Sequence, residues 1–112
     1  MATVYKVLGQ SAPAATTATD VYTVPLLKYA VISTITVCSR TTGTAVAKYR
    51  ISVRPNGVTG AAQHYIAYDA PISPNDTIAL TLGLTADAAD VITVEGSTAD
   101  LSFNVFGSEI DV

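Results

Sequence analysis

The stretch "VAKYRISVR", residues 46–54, decides the fold class. Ala47, Tyr49, Ile51 and Val53 fall on one side of an extended chain, and Lys48, Arg50, Ser52 and Arg54 on the other. A period of two with one apolar and one wet side marks a strand half-buried in a sheet. The same period runs outward in both directions. Downstream, "TIALTLGL" (77–84) sets Ile78, Leu80, Leu82 and Leu84 against Ala79, Thr81 and Gly83. "VITVEG" (91–96) alternates Val91, Thr93 and Glu95 with Ile92 and Val94, and "LSFNVF" (101–106) groups Leu101, Phe103 and Val105. Upstream, "VISTITVC" (31–38) is β-branched and apolar on both sides, which suits a central strand. "VYKVL" (4–8), "DVYTV" (20–24) and "HYIAY" (64–68) add shorter candidates, for about eight strands. Gly9 to Pro13, Pro25, Thr42-Gly43, Pro55-Asn56-Gly57, Pro71 to Asn75 and Gly96 punctuate them. Residues 86–90 could form one helical turn, but no segment keeps a helical period. Short strands at this spacing predict an all-β fold, a single antiparallel β-sandwich that is jelly-roll-like. Ile51, Val53, Ile78, Leu80, Leu82, Phe103 and Val105 are the expected core.

The 112 residues read as one domain, 1–112, without repeat or linker. Only 13% of the residues are charged, against about a quarter in an average globular chain. Thr, Ser and Ala fill the deficit, which fits a surface largely covered by partners. "SAPAATTATD", residues 11–20, has no large apolar side chain and reads either as a flexible loop or as an arm crossing onto a neighbour. The net charge of −3, with six scattered basic residues, argues against a nucleic-acid partner. No apolar run approaches the roughly 20 residues of a membrane span. The start, "MATVYKVLGQ", lacks the pattern of a signal peptide. Cys38 is the only cysteine, so no internal disulfide forms, and assembly in a reducing cytoplasm is compatible.

Chemistry-bearing constellations are thin. His64 is the only histidine, followed by aromatic and apolar residues, and no G-x-S-x-G elbow is present. It is expected to be structural or on the surface. Asp87 and Asp90 could share a calcium ion with Asp76, since calcium accepts oxygen ligands from loops, but no EF-hand spacing supports it. Two glutamates, Glu95 and Glu109, with no tryptophan, make a poor glycosidase. Cys38 is expected to be a buried, inert thiol. The chain is therefore expected to be no enzyme and to need no metal or cofactor. Interface candidates come from the aromatics. Tyr65 and Tyr68, three apart, should point to opposite faces of a regular strand, one to the core and one to a partner. Near the C-terminus, Leu101, Phe103 and Val105 should enter the core while Phe106 falls on the other side. Phe106 and Ile110 are expected in a subunit interface; the competing reading folds the tail back over the sandwich rim.

"VLGQSAPAATTATDVYTVP", "ITVCSRT" and "YDAPISPNDTIALTLGLTADAADVITVEGSTADLSFNVFGSEI" together resemble small all-β virion proteins of tailed bacteriophages, over about Val7 to Ile110. The resemblance extends to head decoration (cement) proteins and to tail-associated or fibre-associated proteins. It implies a non-enzymatic component of the virion, assembled in the host cytoplasm. The first expectation is a capsid decoration protein that bridges capsomers, as a homo-oligomer of three, against the major capsid protein. The second is a tail, baseplate or short-fibre adaptor. A third, of another class, is a carbohydrate-binding adhesion module, which would need an exposed aromatic platform.

Overall fold

Two sheets pack face to face, and the alternation of each strand decides which residues lie between them. The structure, a computed structural model, describes residues 2–112. In chain order the strands are β1 (Thr3–Ser11), β2 (Thr19–Thr23), β3 (Lys28–Ser39), β4 (Ala47–Arg54), β5 (Tyr65–Ile72), β6 (Thr77–Leu80), β7 (Leu84–Ala86), β8 (Val91–Gly96) and β9 (Leu101–Asp111). Among the described residues the only helical pieces are 3-10 turns at Pro55–Gly57 and Ala62–His64.

One sheet has the order β1-β9-β3-β6, with β7 also paired to β3; the other runs β2-β8-β4-β5. All pairs are antiparallel. First pairs with last, second with second-last, and so inward to the β4–β5 hairpin. That nested order, alternating between sheets at every connection but β4–β5 and the break between β6 and β7, is a jelly roll. Nine segments fill eight strand positions, because β6 and β7 are two halves of one. Residues 81–83 bridge the two halves, opposite only Ser33 and Thr34 of β3. The surplus residue loops out, helped by Gly83 at φ +61°. Leu82, expected in the core, swings to solvent at 47% exposure.

The rest of the expected core divides by depth. Ile51, Phe103 and Val105 are fully buried between the sheets. Val53, Ile78 and Leu80 are half-buried and pack against that core from its margins. Ile32, Ile35, Val37, Leu101, Ile92, Val94 and Ile72 complete it. β3 is central, as its two apolar sides predict. β5 begins one residue after His64 and runs through Pro71, a residue that reads as punctuation in sequence; an edge strand tolerates it. Residues 86–90 form no helical turn. They make a tight turn with Ala89 at φ 68°, stapled by the Asp90 carboxylate accepting from the N–H groups of Asp87 (2.9 Å) and Asn56 (2.8 Å).

The segment 11–20 contributes Ser11 to β1 and Thr19–Asp20 to β2. Between them, the Thr16 N–H donates to the Gly96 carbonyl at 2.7 Å and Pro13 is buried. This connection crosses from one sheet to the other over the end of β8.

Candidate interaction surface

β9 is the strand on which the two sides of the five-strand sheet can be read most directly. Its backbone is paired to β1 on one side and to β3 on the other, up to Ile110. It continues straight through Gly107, and the Val112 N–H donates to the Leu27 carbonyl at 3.1 Å. The C-terminal residues are thus inside the sheet rather than folded over its rim.

Leu101, Phe103 and Val105 point inward and are sealed. Phe106, Ser108 and Ile110 point outward, each between partners that also point outward: Val7 and Thr34, Tyr5 and Val31, Thr3 and Tyr29. Bulges flank the centre of this array, at Leu8 in β1 and Ser33 in β3. They twist the outer strands about Phe106, which lies in a hollow lined by Tyr5, Lys6, Val7, Val31, Ser33 and Ser108. Tyr5 is 84% exposed, Val7 48% and Tyr29 44%. Phe106 and Ile110 are half-buried by these neighbours. Phe106 and Ile110, two of the four residues that the sequence proposes for an interface, therefore share one outward side rich in apolar side chains. Tyr5, Val7, Tyr29 and Val31 complete it; their period of two was legible, but which side faced out depended on the pairing with β9.

Cys38 lies on this same side, paired with Ser102 and Thr77. It is half-buried, not buried as expected, because alternation gives the inward positions to Val37 and Ser39.

Behind the apolar side sits one ionised cluster. Glu109, 5% exposed, accepts from the Tyr22 hydroxyl of the opposite sheet at 2.6 Å and lies 2.9 Å from Lys6 Nζ. The hydrogen bond from Tyr22, reinforced by Lys6, holds the Glu109 carboxyl below the usual carboxylate range despite its burial. Burial, with the carboxylate beside it, pushes the Tyr22 phenol far above its ordinary value. Next to it, Lys28 and Asp111 pair at 2.6 Å, and their hydrogen bond lowers the Asp111 carboxyl and raises the Lys28 ammonium. These contacts tie β1, β2, β3 and β9 together at one end of the sandwich.

The other aromatic pair belongs to the four-strand sheet. Tyr65 and Tyr68 do not diverge. Two register shifts in the β4–β5 pairing, with Asp69 at φ 52°, break the strict alternation. The rings meet edge to face at 4.9 Å between centroids. Arg50 lies 4.1 Å from the centre of the Tyr68 ring and is held by Asp69 at 2.8 Å, which keeps the Asp69 carboxyl below its usual range. Gly60, Ala61 and Ala62 line a shallow hollow beside the two tyrosines.

His64 is buried, and its Nδ1 accepts the Ala61 N–H at 3.1 Å, so it closes a turn. Among the described residues no three of His, Cys, Asp and Glu come together with metal-binding geometry, and no helix is long and apolar enough to cross a membrane.

No family model matches the chain, and no curated protein matches it. Among solved structures it is similar to two crystal structures of a pentameric capsid protein isolated from metagenomic phage sequences, one of them solved by iodide phasing. Both have a TM-score of 0.39 and 16% identity over 98% of this chain. The chain spans about three fifths of those proteins' length, 60% and 62%.

Proposed function

We propose that the protein is a structural, non-enzymatic component of a tailed-phage particle, and that it decorates the head. The apolar outward side of the five-strand sheet lies against its neighbours, which are further copies and the major capsid protein. One observation carries the contact: Tyr5, Val7, Tyr29, Val31, Phe106 and Ile110 gather on one outward side, interspersed only with Thr3, Thr34 and Ser108, and no charged residue occupies the strand positions that face outward. Large exposed apolar patches mark interaction sites on soluble proteins. The assignment to phage rests on the sequence resemblance.

The mechanism is additive. Each copy removes apolar area from water at roughly 25 cal/mol per Å², less the cost of ordering side chains and the loss of free motion. Many modest contacts over a shell then hold by multivalency and stiffen the shell against packaged DNA. Replacing both Phe106 and Ile110 with Ser should leave the fold intact and abolish occupancy on purified particles; unchanged occupancy would exclude this side as the contact. Gel densitometry of the same particles separates head from tail. Hundreds of copies fit a decoration protein, and a handful to some dozens fit the tail or baseplate adaptor.

A second reading, a carbohydrate-binding adhesion module, is favoured by the exposed Tyr65–Tyr68 pair beside Arg50 and Asp69. Retention on immobilised glycans that is lost in Tyr68→Ala would support it; no retention on any glycan would remove it.

A further inference from the structure

A sheet has edges as well as faces, and the four edges here are not equivalent. β5 is broken by two register shifts and carries Pro71. β6 and β7 are four and three residues long with a gap between them. β2 has five residues and a register shift at its centre. Interruption, shortness and proline are the devices that prevent strand addition. β1 has none of them from Thr3 to Val7: these five residues are regular in register, all exposed, and paired on one side only. At Gly9 the edge closes against the other sheet, where a side chain would meet the Val21 carbonyl oxygen at 2.1 Å. The open stretch is therefore five residues long.

We infer that this edge is a seam between two copies, β1 against β1, antiparallel about Tyr5. The inference rests on reading the outer side of this sheet as an assembly surface. Three observations select a second copy and this register. Cross-strand partners share a face, so a two-fold pairing must set odd residues opposite odd residues. Centring on Val4 pairs only Thr3 to Tyr5, centring on Lys6 pairs only Tyr5 to Val7 before Val4 meets the Leu8 bulge, and centring on Val7 runs straight into that bulge. Centring on Tyr5 pairs Thr3 with Val7, Val4 with Lys6, and Tyr5 with itself. The one charge on the edge, Lys6, is already matched within its own subunit by Glu109 at 2.9 Å. Two copies therefore approach without like-charge repulsion. The apolar side is also continuous across the seam: Tyr5 and Val7 of each copy meet those of the other, and the Phe106 hollows flank them. Such a seam joins copies in pairs rather than in the threes expected from the resemblance.

Cysteine cross-linking tests the register. In a Cys38→Ser background, which removes the only native thiol, Tyr5→Cys places a cysteine opposite its own symmetry mate at a separation compatible with a disulfide. Mild oxidation should convert it to a linked dimer of doubled mass. Thr3→Cys alone should not link, but mixed with Val7→Cys it should give the heterodimer. Tyr5→Lys and Tyr5→Glu should each be monomeric by light scattering and should associate again when mixed. Tyr5 is so exposed that these changes leave folding intact, which melting curves verify. A Tyr5→Cys protein that stays monomeric on oxidation, or a Thr3→Cys and Val7→Cys mixture that gives no linked heterodimer, would overturn the seam. The Phe106→Ser, Ile110→Ser variant would then judge the apolar side separately.

Discussion

The outer sides of the two sheets are built from the same alternation and dressed oppositely. On the four-strand sheet the outward positions hold Lys48, Arg50, Arg54, Asp20 and Glu95, laced by Arg50–Asp69 and Arg54–Asp20 ion pairs at 2.8 and 2.9 Å. Thr93 joins them, donating to Asp20 at 3.0 Å and accepting from Arg54 at 3.1 Å. On the five-strand sheet the outward positions hold hydroxyls, amides and the Tyr5–Phe106–Ile110 array, and the charges lie at its end or behind it. Water suits the first side and leaves the second unsatisfied. The low charge of the chain is thus not spread evenly: it is nearly all absent from one side.

The comparison breaks first if the strand sides of β9 are assigned wrongly. Phe103 is fully buried and Phe106 is not. Phe103→Ala should cost about 3–5 kcal/mol, read from chemical denaturation, whereas Phe106→Ala should cost about 1 kcal/mol. Equal losses would mean that the outward side is packed like a core.

Glu109 links the two regions, and its loss should be the next largest effect. Its folded-state pKa is lowered from the ordinary glutamate value that the unfolded chain has, by the hydrogen bond from Tyr22 first of all. The stabilisation is therefore fully present above that value and fades as pH falls through the folded-state value. Glu109→Gln should cost about 1–3 kcal/mol at pH 7 and should flatten the loss of stability on acidification. A variant that retains the wild-type acid limb would assign that limb to Asp69 and Asp111, whose values are lowered in the same direction.

The smallest effect should come from the charged side. Asp20→Asn removes a surface pair from Arg54, a type of contact worth about 0–1 kcal/mol, and should leave light-scattering mass and particle occupancy unchanged. Lost occupancy in this variant would move the contact to the four-strand sheet.

How far the sequence reaches follows from where alternation holds. All eight strand positions were legible, and "VAKYRISVR" sorted correctly into an inner and an outer set, because regular strands transmit their period to the fold. Phe103 and Phe106 were separable for the same reason. Alternation fails at bulges. Tyr65 and Tyr68 come together because β5 slips register twice, and Leu82 leaves the core because a surplus residue faces Ser33 and Thr34; neither local sequence announces it. The cluster of Tyr22, Lys6 and Glu109 joins residues up to 103 positions apart, and only the pairing of first strand with last brings them together. Val31 and Tyr29 likewise become part of an outward array only once β9 lies between β1 and β3.

The six tyrosines divide by site, which provides the most direct test of the central claim. Tyr22 and Tyr49 are buried, Tyr5 and Tyr29 lie on the apolar side, and Tyr65 and Tyr68 lie on the opposite sheet. Radical labelling of tyrosine, read by mass spectrometry on the free protein and on purified particles, compares them in one experiment. The account predicts that Tyr5 and Tyr29 react in the free protein and are protected on particles, with Tyr22 and Tyr49 silent in both. Tyr5 and Tyr29 reacting equally in both states, with protection confined to Tyr65 and Tyr68, would contradict it.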